Sequence, residues 1–201
     1  MPVTMLNYHV TNCYLVPAAT GLLLVDADMA GTLPRFFRSL GEAGTRVQDI
    51  RFLLCTHYDP DHAGIAQDIR AHGVELVIVD LQVPHVHRQD GIFRKDPRTP
   101  FTPVTTEGAI VLACAESRAW LAEIGVRGEI LHTPGHTDDS ITLVVDGIGA
   151  FVGDLPRLQD APAWGDPMME ESWRAILRHQ PPMIYPGHGP AYAPEPNPFA
   201  P

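Results

Sequence analysis

Apolar residues in this chain fall into short runs separated by glycine, proline and charge. Runs suited to strands occur at Cys13 to Val16, Leu22 to Val25, Phe52 to Cys55, Leu76 to Val79, Ile110 to Ala113, Ile130 to His132, Ile141 to Val145 and Ala150 to Val152. Between some of them the spacing turns helical. Leu33, Phe36, Phe37 and Leu40 share a face after a Thr32 cap and before Gly41. Ile65 and Ile69 precede Gly73, Trp120, Leu121 and Ile124 precede Gly125, and Trp173, Ile176 and Leu177 precede Pro181 and Pro182. The pattern predicts an α/β protein with many strands. The segment around 81–108 fits neither period and carries charges of both signs, so it is read as a long loop or lid. No repeat or composition shift marks a boundary, and a single domain over 1–201 is expected, with a loose Pro-rich tail at 193–201.

Composition narrows the partners. The 201 residues include 24 acidic and 14 basic side chains, a net charge of −10, which repels a nucleic-acid backbone. No apolar run reaches the roughly 18 residues of a membrane span, and Met1-Pro2-Val3-Thr4 opens no secretory signal. Neither nucleic acid nor membrane is expected as a partner. Cys13, Cys55 and Cys114 form no C-x-x-C pair, which argues against disulfides and a thiolate zinc site and fits a reducing, cytoplasmic setting. Cys55, inside an apolar run, is expected to pack as a small hydrophobe.

Histidine placement carries the chemistry. Thr56-His57-Tyr58-Asp59-Pro60-Asp61-His62 sits between a predicted strand and a predicted helix. Residues two apart on an extended loop project to one side, so His57 and Asp59 can reach one cation, while Asp61 and His62, at the turn that opens the helix, can point at a second. Later come His132-Thr133-Pro134-Gly135-His136, Gly153-Asp154 and Pro186-Gly187-His188-Gly189, each placing a ligand-type residue at a predicted strand end. Imidazoles and carboxylates suit zinc, iron and manganese.

The order H-x-D-x-D-H, P-G-H, G-D and P-G-H-G resembles the metallo-β-lactamase superfamily, and Leu24-Val25-Asp26 also matches its early pattern. The resemblance implies a four-layer αββα sandwich of two mixed β-sheets with helices on the outer faces. It implies two divalent metal ions, zinc in most members. One would be held by His57, the residue at 59 and His136, the other by Asp61, His62 and His188, with Asp154 bridging and Asp61 also orienting the nucleophile. The family normally has His where this chain has Asp59, and flavodiiron relatives, whose metals are iron, carry Glu there. Ligation by Asp59 makes a third carboxylate, and with a bridging hydroxide the ligand charges cancel those of two divalent cations. Such a centre is a weaker Lewis acid, which points to slower hydrolysis at neutral pH or to iron or manganese. Asp59→His is expected to raise zinc affinity at the first site.

Other readings stay open. Asp59 is either a ligand or a solvated carboxylate at a helix start. Asp26 is read as a residue that hydrogen-bonds the His57 loop, or else as a simple turn residue. His132 is structural, because Pro134 keeps it off a helical face shared with His136. His85 and His87 either hang over the site or belong to an exposed polar loop, and Tyr58 is a candidate pocket wall. Arg88, Arg94, Lys95 and Arg98 make the 81–108 segment locally basic, a charge run that attracts an anionic group or is a solvated face. The expected function is metal-dependent hydrolysis of a small ester, thioester or lactone by a metal-bound hydroxide, in a monomer or homodimer. The rivals are a non-haem iron oxidoreductase, resembling persulfide dioxygenases or flavodiiron proteins, and a non-catalytic metal-binding relative.

Overall fold

A computed structural model describes residues 3–96 and 98–199. Met1 and Pro2, Pro97 within the 81–108 segment, and Ala200 and Pro201 at the end of the tail lie outside the described residues. Alternate residues of the apolar runs face opposite ways, and each face finds a different partner. The strands β1 (Thr4–Asn7), β2 (Asn12–Ala18), β3 (Gly21–Val25), β4 (Ile50–Leu54), β5 (Glu75–Val79) and β6 (Ile110–Leu112) form one sheet in that order, antiparallel as far as β3 and parallel thereafter. The second sheet runs β10 (Ile184–Pro186), β9 (Gly149–Gly153), β8 (Ile141–Val145) and β7 (Gly128–His132), with only β10 and β9 parallel.

Tyr14, Val16, Leu23, Val25, Leu54 and Val77 of the first sheet pack with Ile130, Ile141, Leu143 and Phe151 of the second. Their sequence neighbours Leu15, Leu24, Leu53, Leu76 and Ile78 turn outward against α1 (Leu33–Glu42), α2 (Pro60–Ala63) and α3 (Ala66–Arg70), through Phe36, Leu40, Ala63 and Ile69. On the other side Val144, Ala150 and Val152 meet α6 (Ala161–Trp164) and α7 (Pro167–Leu177), through Ala161, Met169, Trp173 and Ile176. The layers are therefore helix, sheet, sheet, helix, the α/β architecture of two mixed sheets with helices outside.

Several local expectations change. Thr32 does not cap α1 with its side chain, because its hydroxyl donates to the Met29 carbonyl at 2.6 Å. Gly41 lies inside that helix, and Gly44, at φ +67°, takes the left-handed turn that follows it. The segment around 81–108 holds a 3-10 helix over Asp80–His85 and a short helix α4 (Asp90–Phe93), and buries Gln82, Val86, Gln89, Phe93 and Val104. Its anchors are partly polar: Gln82 Nε2 donates to the Cys55 and Asp139 carbonyls, both at 3.1 Å, and Gln89 Nε2 to the Ala63 carbonyl at 3.0 Å. Hydrophobic periodicity cannot register such anchors. Just before the Pro-rich tail Tyr192 pairs with Ile184, and within the tail Phe199 lies beneath the Arg174 guanidinium, 5.3 Å from ring centre to carbon. Helix α5 (Ser117–Glu123) adds Leu121 to the core between the sheets.

Candidate metal centre

β3, β4, β7, β9 and β10 all run toward one edge of the sandwich, where the loop after β4 joins the second sheet through the Ile141 amide and Thr56 carbonyl at 2.9 Å. Every ligand-type residue singled out by the sequence lies in a loop or helix start at that edge. His57 and Asp59 follow β4, Asp61 and His62 lie in α2, His136 follows β7, Asp154 follows β9 and His188 follows β10. Two groups form, Asp61, His62, Asp154 and His188 in one and His57, Asp59 and His136 in the other, each with ligand atoms within 4.8 Å of one another. Asp154 faces both: Oδ1 is 3.1 Å from His62 Nε2, and Oδ2 is 3.4 Å from His188 Nε2 and 3.8 Å from His136 Nε2.

The imidazoles are aimed from behind. Asp26, buried at the end of β3 with φ +64°, accepts the Thr56 amide at 2.7 Å and His62 Nδ1 at 2.9 Å. Thr56 Oγ1 donates to the same carboxylate at 3.0 Å and lies 3.1 Å from His57 Nδ1, which extends the orienting chain to His57. His188 Nδ1 donates to the Val10 carbonyl at 2.9 Å, and the loop bearing Val10 is tied to buried Asp28 through the Val10 and Thr11 amides at 3.2 and 3.3 Å. With Nδ1 so engaged, the Nε2 lone pairs of these three histidines face the centre. Gly187 makes room for this, since a Cβ there would stand 2.5 Å from His62 Cε1 and 2.6 Å from Asp154 Oδ1.

Among the described residues, His57 Nε2, His62 Nε2 and Asp154 Oδ1 are buried with no partner in good hydrogen-bond geometry, although the last two face each other at 3.1 Å. Acceptors facing one another repel unless a proton or a cation stands between them. That donor set, imidazole nitrogen and carboxylate oxygen at one concave edge, fits divalent metal ions. In the metal-free chain protons serve instead. Burial pulls the His62 pKa down, but Asp26 and Asp154 outweigh it and leave it well above the usual value. Burial and the neighbouring His62 hold His57 well below it. Burial raises the Asp154 carboxyl, yet His62 overcomes this and brings it down to about 2. Asp59 is held well below the carboxylate range by hydrogen bonding to His136, with His57 and Arg88 adding to it.

Some sequence candidates lie elsewhere. Tyr58 is fully buried in the core beside α2 and does not line the site. His87 pairs with Asp90 at 3.1 Å on the surface, and His85 Nδ1 lies 3.0 Å from Arg88 Nη2. His132 Nε2 closes its own loop on the Asp138 carbonyl at 2.8 Å. Cys55 is buried in the core under α1 and α3. Sequence reasoning missed Thr56, Asp139 and the reach of Arg88, which bridges Asp59 and Asp139. The signal for the last was an acid lacking an assigned role three residues after His136, in a chain with a basic cluster elsewhere. Beside His136, Asp154 and His188 a cavity of ≈ 400 Å³ opens between Leu155, Pro156, Arg157 and Trp164.

The sequence pattern described as the metallo-beta-lactamase superfamily matches residues 6–188. Metallo-beta-lactamase domain-containing protein 1 of Xenopus laevis is 30% identical over 183 residues, covering 86% of this chain and 69% of that protein. Beta-lactamase-like protein 2 homolog of Drosophila melanogaster is 28% identical over 182 residues, covering 89% of this chain but 58% of its own length, so the chain spans little more than half of that relative. The crystal structure of a metallo-beta-lactamase family protein from Thermus thermophilus superposes with a TM-score of 0.71 at 20% identity, over 95% of this chain and 74% of the other. The chain belongs to the metallo-beta-lactamase superfamily.

Proposed function

We propose that this chain is a metal-dependent hydrolase of a small ester, thioester or lactone, with zinc as the resident cation at two adjoining positions. The observation that carries the reading is the convergence of buried His57 Nε2, His62 Nε2 and Asp154 Oδ1 on one edge of the sandwich, with the last two facing each other at 3.1 Å. His57, Asp59 and His136 would hold one cation and Asp61, His62 and His188 the other, with Asp154 between. Bound there, divalent cations supply Lewis acidity, which lowers the pKa of water and stabilises a developing oxyanion.

The chain's own groups do the rest. Asp61 receives a hydrogen bond from Thr11 Oγ1 at 3.4 Å and stays partly exposed at the mouth, placed to orient an attacking water and take its proton. Leu155, Pro156 and Trp164 offer an apolar wall for the acyl or alcohol part of a substrate, and Arg157, fixed 4.5 Å over the Tyr192 ring, faces the same cavity and favours an anionic end.

One observation favours a second reading, a non-haem iron oxidoreductase: the carboxylate of Asp59 makes the first group richer in oxygen ligands. Elemental analysis of protein purified without added metal, a panel of esters, thioesters and lactones, and an oxygen electrode separate the two. Zinc with turnover of one of those acyl compounds and no oxygen uptake supports hydrolysis, whereas iron with oxygen uptake moves the assignment to redox chemistry. Protein that takes up no metal at all refutes both.

A further inference from the structure

Asp59 gives its two oxygens to different partners. Oδ2 faces the first ligand group, 3.4 Å from His136 Nε2 and 3.7 Å from His57 Nε2. Oδ1 turns the other way and accepts Arg88 Nη1 at 3.1 Å. The other arm of the guanidinium, Nη2, pairs with Asp139 Oδ1 at 2.9 Å and lies 3.0 Å from His85 Nδ1. Asp139 is fully buried, and its Oδ2 accepts the Tyr58 amide at 2.9 Å, next to His57 in the chain. A planar fork is thus braced between a buried acid and a partly exposed one.

We infer that Arg88 is a positioning residue for the first metal position, turning Asp59 so that Oδ2 alone enters the site. The inference rests on the metal-centre reading above. A carboxylate with a quarter of its side chain exposed, 27%, otherwise shares its rotamers between the site and water, and Arg88 removes that freedom by holding one of its oxygens. Repulsion between Arg88 and a cation is a weak counter-effect here, because one guanidinium shared by two acids leaves the trio net negative. Orientation therefore dominates. The basic residue at 88 and the acid at 59 work as a pair: an imidazole at 59 has no second oxygen for Arg88 to hold, so the dependence on Arg88 disappears with Asp59.

The test is zinc titration against a competing chelator, on metal-stripped wild type, Arg88→Met, Asp59→His and the Asp59→His/Arg88→Met double variant, reading the count and affinity of each site. Partners behind a ligand are typically worth about 10–100-fold in metal affinity. Arg88→Met should weaken one of the two sites by about that factor and leave the other unchanged. In the Asp59→His background the same change should move neither site by more than about threefold. Because Arg88→Met strips buried Asp139 of its cation, Arg88→Met/Asp139→Asn is carried alongside; Asn still accepts the Tyr58 amide, and this variant should show the same selective loss. An unchanged affinity, an equal loss at both sites, or the same loss with His at 59 overturns the inference. So does wild type that binds fewer than two zinc ions, and wild type that binds none removes the metal-centre reading as well.

Discussion

A side chain is only as well placed as the group that aims it, and His188, a proposed metal ligand, shows how local that dependence is. Its Nδ1 is fixed by the Val10 carbonyl and its Nε2 stands 3.1 Å from Asp61 and 3.4 Å from Asp154, while the ring itself is 45% exposed. His188→Ala should therefore remove one metal per chain and cut turnover by more than the 10–100-fold typical of an outer partner, yet leave the metal-free protein's unfolding midpoint within about 1–2 °C. Full metal content in that variant sinks the ligand assignment. The cysteines lead to the opposite expectation. Burial drives the Cys13 and Cys55 thiols far above their usual pKa, and Cys114, half-buried, is pushed up to about 11. Thiolate is the reactive form, so a disulfide reagent at pH 8 should leave Cys13 and Cys55 untouched in the native protein and label Cys114 slowly; all three should react in denaturant. Rapid native labelling of Cys13 or Cys55 would falsify the burial argument. At this scale the sequence spoke through residue type: His57, Asp61, His62, His136, Asp154 and His188 could be picked out because few side chains bind metals. Arg88, Asp139 and Thr56 could not, since guanidinium, acid and hydroxyl have many structural uses and only their distances reveal this one.

Elements were legible where burial is one-sided or complete over four or more residues. The runs around Leu23, Leu53, Val77 and Leu143 lie in β3, β4, β5 and β8 as expected. β1 and β10 were not foreseen. β1 buries only Leu6 fully, and β10 is three residues long and ends in Pro186, so neither carries enough pattern. Helix α7 shows how an element reaches the site. Asp166 caps it by accepting the Met168 amide at 2.9 Å, Ser172 Oγ donates to the Pro134 carbonyl at 2.7 Å, and Met169 backs Gly135, whose missing Cβ would stand 3.1 Å away. The His136 loop thus rests on the first two turns of the helix. Asp166→Ala should cost about 1 kcal/mol, the usual worth of such a cap. For a chain of this size that lowers the thermal midpoint by roughly 2–4 °C, measurable by calorimetry. Because the cap lies at the end nearest Pro134, metal affinity at the His136 position should fall with it. A loss of stability with both metal affinities intact would show that the loop does not depend on the helix start.

At the scale of the whole molecule, the order of motifs along the chain mattered more than any one of them. Strand directions send β3, β4, β7, β9 and β10 to a common edge, so residues as far apart in the chain as Asp61 and His188 stand 3.1 Å from one another. That crowding gathers Asp26, Asp59, Asp61 and Asp154 in a chain whose net charge is already −10. In the metal-free chain the pKa values of His62 and His136 are raised above the usual histidine value by these acids, so protons taken up there as pH falls offset part of that repulsion. Cations that bind only the folded state stabilise it by mass action, about 2.7 kcal/mol when free metal is a hundred times the dissociation constant. A chelator should then lower the thermal midpoint by roughly 5–10 °C for each cation removed, using 2–4 °C per kcal/mol for a protein of this length. Salt adds a second signature. Screening relieves repulsion among partly exposed acids, so raising ionic strength from about 0.02 to 0.3 M should narrow the gap between metal-loaded and metal-free protein. A buried Asp26 held by Thr56 and His62 is insulated from that screening, so the salt effect should come mainly from Asp59 and Asp61, and Asp61→Asn should shrink it. Identical midpoints with and without chelator, at both ionic strengths, would mean that no cation is tied to the folded state.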